Sequence, residues 1–273
     1  MPADFHTLQI AGIVQETHDT RSFVLNVPQS LREAFQYRAG QFLTFEVPWN
    51  GMELRRCYSL SSAPETDPWP KVTVKRVDDG RVSNWFNDQL NVGDSIRVQP
   101  PEGRFVLRSD EGDHGIMLFG GGSGITPVLS IMKAALRTTE RRVKLVYANR
   151  DERSIIFKDE IDLWLQHYPE RLEVVHHLDS EAGFMSVPQI QEHIRGWEDA
   201  EFFVCGPTGY MDAVEVAFKE SNIDTGQTKF ERFISPVDPD RKEEGADAVP
   251  EQSDDEIPAS FTMQLEGKAH EVP

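Results

Sequence analysis

Two patterns of apolar and polar positions divide the chain. In the first hundred residues, short apolar runs recur between glycine, proline, aspartate and asparagine. Many short strands at this spacing are typical of an antiparallel barrel or sandwich. One helix is predicted around 82–90, with Ser83 as its N-cap. The six predicted strands are LQIAGIV (8–14), RSFVLNV (21–27), QFLTFEV (41–47), RRCYSLS (55–61), KVTVKRV (71–77) and SIRVQP (95–100).

From residue 114 the periodicity of apolar residues changes, and apolar strands alternate with helical patterns. Helices are predicted around 125–137, 157–167, 187–194 and 207–220. Strand–helix alternation predicts a doubly wound parallel sheet, which places its ligands at the carboxyl ends of the strands. The strands are GIMLFG, VKLVYA, RLEVVHHL, EFFVC and TKFERF.

These patterns predict a β-barrel domain over 1–108 and an α/β domain over 109–235. Residues 236–259 hold nine acids, two bases, four prolines and no aromatic residue, so we interpret them as a solvated linker. Residues 260–273 alternate around Glu266-Gly267-Lys268 as a hairpin does. Because a lone hairpin is marginally stable in water, we interpret it as the first element of a truncated domain.

Composition narrows the function classes. The net charge of −18 over 273 residues disfavours nucleic acid and anionic membranes as partners. Two distant cysteines, Cys57 and Cys205, are too few for an iron–sulfur cluster and indicate a reducing compartment, the cytoplasm. His176 and His177 fall on a predicted strand, where neighbours point to opposite faces, so we expect no metal site.

The strongest chemical signal is the glycine loop, Gly120-Gly121-Gly122-Ser123-Gly124-Ile125-Thr126-Pro127. It follows an apolar strand and opens a helix. Glycines let a phosphate approach the backbone, and a helix N-terminus offers unpaired N–H groups and positive dipole. The alternative is a plain tight turn, which does not account for the hydroxyls of Ser123 and Thr126.

Three weaker motifs accompany it. In Arg56-Cys57-Tyr58-Ser59, alternation puts a guanidinium and a ring on one strand face, where they can pair with a pyrophosphate and stack on a heteroaromatic group. Gly80-Arg81-Val82-Ser83-Asn84 is a glycine turn at a helix start. Cys205-Gly206-Pro207 is a strand-to-helix turn at the predicted ligand edge. Taken singly, ordinary packing and a helix cap explain each of them.

In this order, over residues 5–235, the motifs resemble those of the ferredoxin–NADP reductase superfamily. The resemblance implies an FAD-binding barrel followed by an NAD(P)-binding α/β domain. The implied FAD contacts are Arg56, Cys57, Tyr58, Ser59, Val74, Lys75, Gly80, Val82 and Ser83. The implied nucleotide contacts are Gly122, Ser123, Gly124, Thr126, Arg150, Cys205, Gly206 and Pro207. The residues implied around the reacting rings are Ser59, Cys205, Glu231 and Phe233.

The stretch YANRDERSIIF (147–157) is further similar to reductase components of bacterial oxygenases, such as those of 3-ketosteroid 9α-hydroxylases and phenylacetyl-CoA epoxidases. These carry a C-terminal ferredoxin domain with a 2Fe-2S cluster, and FTMQLEGKAHEVP resembles the start of that domain. This sequence ends before the cluster cysteines, so a cluster is expected only if a missing C-terminal domain exists.

The expected function is electron transfer from NADH, or NADPH, through FAD to a ferredoxin domain or oxygenase component. Two alternatives stay open. One is a subunit that works with a separate ferredoxin, and the other is an inactive nucleotide-binding fragment.

Overall fold

The computed structural model describes residues 4–107, 112–233, 261–265 and 268–272. The chain forms two compact units, 1–234 and 235–273. The predicted linker lies outside the described residues. In the second unit, the strands β12 (Phe261–Leu265) and β13 (Lys268–Val272) pair antiparallel.

The first sheet of the large unit is antiparallel and has six strands in the order β4-β3-β6-β1-β2-β5. Beyond the end of β4, Leu60 forms a bridge with Val72 of β5, so the two edges of the sheet meet and close it into a barrel. All six strands predicted from the sequence are present. Their bounds are β1 His6–Thr17, β2 Thr20–Asn26, β3 Phe42–Trp49, β4 Met52–Ser59, β5 Lys71–Lys75 and β6 Ser95–Val98.

The helix α1 (Arg81–Asp88) packs against the barrel core through Phe86, which is fully buried. The Phe86 ring makes edge contacts with Phe23, Phe45 and Tyr58 at centroid distances of 5.3, 5.3 and 5.1 Å. Edge-to-face pairs of this kind add to the free energy gained by burying the rings. The helix therefore holds the inner face of β4, which carries Tyr58, in one position.

The N-cap of α1 differs from the prediction. Gly80, not Ser83, occupies that position. The Ser83 hydroxyl accepts a hydrogen bond from the Val77 N–H at 3.2 Å and donates to the Gly80 carbonyl at 3.4 Å. A Cβ on Gly80 would lie 2.4 Å from this hydroxyl, so the cap position requires glycine and the serine closes the turn from inside the helix.

The second sheet is parallel, with strands in the order β11-β10-β7-β8-β9. The predicted strands and helices are present, together with one short helix, α4, that was not predicted. The strands are β7 Ile116–Gly121, β8 Val143–Asn149, β9 Leu172–Leu178, β10 Glu201–Cys205 and β11 Thr228–Glu231. The helices are α2 Ile125–Thr138, α3 Lys158–His167, α4 Asp179–Ala182, α5 Val187–Ile194 and α6 Thr208–Glu220.

Helices cover both faces of this sheet. Ile116 and Leu118 of β7 belong to a core shared with α2 and α3, while Met117 and Phe119 belong to a core shared with α5 and α6. Burial on both faces explains why β7, β8 and β10 are apolar without alternation. The fold class predicted from the sequence, an antiparallel barrel followed by a doubly wound parallel sheet, is confirmed.

Strand order reverses between β7 and β10. The chain runs outward from β7 to β8 and β9, then returns to place β10 on the other side of β7. The ends of β7 and β10 therefore open a crevice at the carboxyl edge, where sheets of this type bind their ligands. Among the described residues, no helix combines the length and apolar character required to cross a membrane.

Candidate functional site

The glycine loop lies at this crevice. After β7, residues Gly122–Gly124 form one 3-10 turn that leads into α2. Gly122 has a φ of +50°, in the left-handed region that favours glycine, and a Cβ there would meet no atom within 4 Å. A Cβ on Gly124 would lie 2.2 Å from the carbonyl oxygen of Cys205. The loop is thus open on one side and packed against the end of β10 on the other.

The structure brings the second predicted nucleotide motif to the same place. Cys205 pairs in register with Gly120 on one side and with Glu231 on the other. A Cβ on Gly121 would lie 2.8 Å from Cδ of Pro207. The two predicted nucleotide motifs therefore pack against each other at the switch point, with Gly124, Thr126 and Cys205 buried. The predicted set is Gly122, Ser123, Gly124, Thr126, Cys205, Gly206 and Pro207.

The start of α2 has the properties of an anion site. No side chain caps this terminus, and its first turn holds no acidic residue. The Thr126 hydroxyl donates to the Ser123 carbonyl at 3.1 Å, so it braces the loop from within. The first N–H groups of a helix lack intrahelical partners and carry positive dipole. Together with the open side of Gly122, this terminus fits a nucleotide phosphate.

The flavin motif occupies β4, at the edge of the barrel sheet. Arg56 and Tyr58 are half-buried and Cys57 between them is exposed, so the first two share a face as alternation predicts. Burial raises the pKa of the Tyr58 hydroxyl, which keeps it neutral. Ser59 follows at the buried end of the strand. This face offers a cation and a ring, and the Ser59 hydroxyl ends the strand on the opposite face. The cation and the ring fit a flavin nucleotide.

The strand β5 connects the two halves of the site. Its Cα atoms come within 8 Å of those of the Gly122–Gly124 turn. Val74 is fully buried in the barrel core, and Nζ of Lys75 lies 3.7 Å from the carboxylate of Asp19. Asn87 of α1 donates to the Val74 carbonyl at 3.1 Å, which ties Gly80, Val82 and Ser83 at the start of α1 to the same strand. All four sequence motifs therefore converge around β5 and the end of β7.

Glu231 and Phe233 continue β11 beside Cys205. Burial, followed by the charge of Glu231, raises the pKa of the Cys205 thiol well above its usual range, so this cysteine is a neutral thiol and not a nucleophile. Burial also raises the pKa of Glu231. The Phe233 side chain is 47% exposed. The edge thus presents a half-buried carboxyl group and an accessible ring.

Arg150 stands apart from this cluster. It is exposed in the turn after β8, and its Nε lies 3.6 Å from the carboxylate of Asp151. The same turn contains Glu152 and Arg153. Its position at the carboxyl edge, one strand away from the glycine loop, matches a contact to the far half of a dinucleotide.

Sequence reasoning missed Tyr147. Its buried hydroxyl donates to the Gly122 carbonyl at 3.1 Å and accepts from the Ile156 N–H at 3.3 Å. It therefore fastens the glycine loop to the segment after β8. The signal in the sequence was the tyrosine hydroxyl inside the mostly apolar run VKLVYA, because a buried hydroxyl requires a partner.

Comparison with known families agrees with this geometry. The family described as oxidoreductase FAD-binding domain matches residues 7–107. The family described as oxidoreductase NAD-binding domain matches residues 118–216. The chain is an FAD-dependent oxidoreductase of the class that uses a nicotinamide nucleotide.

Individual relatives narrow this class. The chain is 43% identical to the ferredoxin reductase component of 3-ketosteroid-9-alpha-monooxygenase from Rhodococcus rhodochrous, over 97% of this chain and 75% of that one. It is 32% identical to one of the subunits of 1,2-phenylacetyl-CoA epoxidase from Escherichia coli, over 85% of this chain and 68% of that subunit. The chain belongs to the ferredoxin reductase family, as its motifs indicated.

Solved structures support the fold. The CS-b5R domains of human Ncb5or superpose with a TM-score of 0.75 and 24% identity, covering 86% of this chain and 70% of that one. The Amycolatopsis cytochrome P450 reductase GcoB superposes with a TM-score of 0.72 and 24% identity, covering 85% of this chain and 71% of that one. At this identity the likeness concerns the fold alone.

The buried carboxyl group of Glu231 predicts a pH-dependent stability. Because its folded-state pKa is raised by burial, its favourable contribution is complete at low pH and is lost as pH rises through the folded pKa. Glu231→Gln should therefore stabilise the protein more at pH 8 than at pH 4. Urea unfolding at both values measures this difference.

Glu198→Gln is the matched control. A hydrogen bond from the Gly196 backbone lowers the pKa of Glu198, so the sign reverses and this variant should lose more stability at pH 8 than at pH 4. If the free energy of unfolding of both variants changed with pH in the same way, the opposite pKa shifts of Glu231 and Glu198 would be contradicted.

Proposed function

We propose that this chain takes hydride from NADH onto bound FAD and passes the electrons singly to an iron–sulfur acceptor that serves an oxygenase. The contact of β5 with the glycine loop is the observation that carries the proposal, because it joins the barrel face that fits a flavin to the loop that fits a nicotinamide nucleotide. The names of the two relatives, both components of oxygenase systems, support the acceptor class.

Each part of the site has a distinct task in this proposal. Arg56 pairs with the FAD pyrophosphate, and the start of α1 at Gly80, Val82 and Ser83 supplies further contacts to it. Tyr58, Ser59, Val74 and Lys75 border the flavin, with the exposed Cys57 beside them. FAD supplies the chemistry that links a two-electron donor to one-electron acceptors.

The nucleotide is oriented by the residues at the switch point. The glycine loop and the start of α2, with Ser123 and Thr126, receive its pyrophosphate. Cys205, Gly206 and Pro207 flank the nicotinamide, where a neutral thiol adds no charge. Glu231 and Phe233 border the flavin edge, and the exposed ring of Phe233 leaves a route for the acceptor. No general acid or base is needed for hydride transfer, so the residues act by orientation and by excluding water.

The partner and the compartment follow from the same argument. A ferredoxin domain or an oxygenase component is the proposed acceptor. The two cysteines are free thiols, which suits the reducing cytoplasm, where NADH is supplied.

The function is tested on the purified chain under anaerobic conditions. The protein should be yellow, lose its flavin absorbance on adding NADH, and reduce ferricyanide while containing no iron, since two cysteines cannot provide four cluster ligands. Absence of bleaching would identify an inactive nucleotide-binding fragment. A rate that rises with an added ferredoxin would indicate a subunit working with a separate ferredoxin. Stoichiometric iron would contradict the cluster-free assignment.

FAD retention should depend on Arg56. Loss of one buried charge-assisted contact costs about 1.5–3 kcal/mol, so Arg56→Ala should weaken FAD binding about tenfold or more. Fluorescence titration of apoprotein with FAD measures this. Arg55→Ala is the control, because Arg55 is the adjacent cation on the exposed face and pairs with Glu46 at 2.8 Å. Equal FAD affinity in the two variants would refute the role of Arg56.

NADH should be preferred over NADPH. The Asp151 carboxylate accepts from the Ser154 hydroxyl at 2.7 Å, and this bond, with Arg153 and Arg150 nearby, holds the pKa of Asp151 below its usual range. A fixed anion at the end of the second strand repels a 2′-phosphate. The ratio of kcat/KM for the two nucleotides, measured at one ionic strength, should favour NADH.

Asp151→Asn should lower that ratio, whereas Glu198→Gln, which removes an acid before β10 at the opposite edge of the sheet, should leave it unchanged. A wild-type preference for NADPH would overturn this part of the proposal.

A further inference from the structure

One face of α2 lies against the barrel. The Ser130 hydroxyl donates to the Ser62 carbonyl at 2.6 Å and accepts from the Gly40 N–H at 3.2 Å. Ala134, one turn further on, packs with Ala39 and Ala63 in a small apolar cluster. Residues spaced by three or four positions share a helix face, so this face also includes residue 133.

Lys133 is a buried cation at this interface. Its side chain is 2% exposed, and Nζ lies 2.8 Å from the carboxylate of Asp67 and 2.7 Å from that of Glu160. Asp67 belongs to the loop between β4 and β5, and Glu160 belongs to α3. From the barrel side, Nζ of Lys71 in β5 lies 3.3 Å from Glu160. Two cations and two carboxylates thus alternate where α2 and α3 meet the barrel. We name these four residues, Lys71, Asp67, Lys133 and Glu160, the charge cluster.

The groups around Asp67 hold it in its ionised form. Burial opposes ionisation, but the hydrogen bond and charge of Lys133, with the Ala63 N–H and the Thr66 hydroxyl, lower the pKa of Asp67 overall. Glu16 of β1 also faces the cluster, and burial raises its pKa. Asp67 therefore offers Lys133 a full negative charge from the barrel.

Such a cluster specifies geometry more than it adds stability. Apolar side chains of similar volume often stabilise a buried contact as well as an ion pair does, whereas an ion pair is satisfied only in one arrangement. Here that arrangement determines where α2 sits on the barrel. The N-terminus of α2 is the glycine loop, and that loop contacts β5, which carries Lys71.

We propose that Lys133 is a positioning residue for hydride transfer: by docking α2 on the barrel through Asp67, it sets the distance between the nucleotide at the start of α2 and the flavin along β4 and β5. This inference rests on the proposed function, because a distance between the two cofactors matters only if hydride passes between them. Misplacement by about 1 Å can lower such a rate about a hundredfold.

The test uses the FAD-loaded full chain and the variant Lys133→Met, which keeps the stem of the side chain and removes its charge. The rate of flavin reduction at saturating NADH, measured by anaerobic stopped-flow, should fall at least about tenfold. The KM for NADH and the affinity for FAD should change less than about twofold, because the groups that bind either cofactor are intact. Lys133→Arg should recover most of the rate.

Lys144→Met is the matched control. Lys144 is also a buried lysine, but its partner is Glu173, at 3.0 Å on the neighbouring strand β9 of the same sheet. This variant should keep the wild-type rate. Amide exchange, measured by mass spectrometry without nucleotide, should increase in Lys133→Met over residues 61–67 and 128–137 and stay at wild-type levels there in Lys144→Met.

The outcomes separate the two proposals. Wild-type protein that NADH fails to bleach overturns the proposed function, and the role of Lys133 falls with it. An active wild type with an unchanged rate in Lys133→Met overturns the positioning role alone, as does an equal loss of rate in Lys144→Met.

If Lys133→Met fails to fold, Asp67→Asn carries the test, because it keeps the pair of Lys133 with Glu160 and should lower the same rate. An unchanged rate in Asp67→Asn then overturns the role.

Discussion

The contact of α2 with the barrel is the constraint on which the rest of the site depends. The barrel holds one face that fits a flavin, and the parallel sheet holds a loop that fits a nucleotide, but neither half contains a complete site. Ser130, Lys133 and Ala134 fix α2 against the loops that flank β4 and β5. Because α2 is continuous with the glycine loop, the position of this one helix decides how the two halves meet.

The crevice between β7 and β10 supplies the second element of the arrangement. It exists because the strand order reverses there, and it is narrow because glycines allow two turns to pack without side chains between them. Gly124 approaches the carbonyl of Cys205 more closely than any Cβ would permit. The Tyr147 hydroxyl donates to the Gly122 carbonyl and braces the glycine loop against β8.

Local charge at the site differs from the charge of the whole chain. The protein carries −18, yet FAD and NADH are themselves anions. Arg56 and the uncapped start of α2 are the positive groups that we propose to meet the phosphates, and the first turn of α2 contains no acid. Burial raises the pKa of the half-buried carboxyl group of Glu231, which lies beside Cys205. The local arrangement of charged groups, and not the net charge of the chain, makes the site suitable for anionic cofactors.

The elements and the family were predictable from the sequence. Strand and helix patterns depend on side-chain period and turn residues, which are local. The six barrel strands, the parallel strands and every helix except the four-residue α4 could therefore be predicted. Glycine motifs marked the carboxyl edge. Folding decided which distant groups meet: Leu60 closing the barrel on Val72, β5 touching the glycine loop, and Lys133 pairing with Asp67. No local pattern encodes these contacts, because their partners lie far apart along the chain. They meet only when the barrel closes and the α/β part packs against it. The cap of α1 was mispredicted for a local reason: the position next to Ser83 and Val77 has no room for a Cβ, so Gly80 and not Ser83 occupies it.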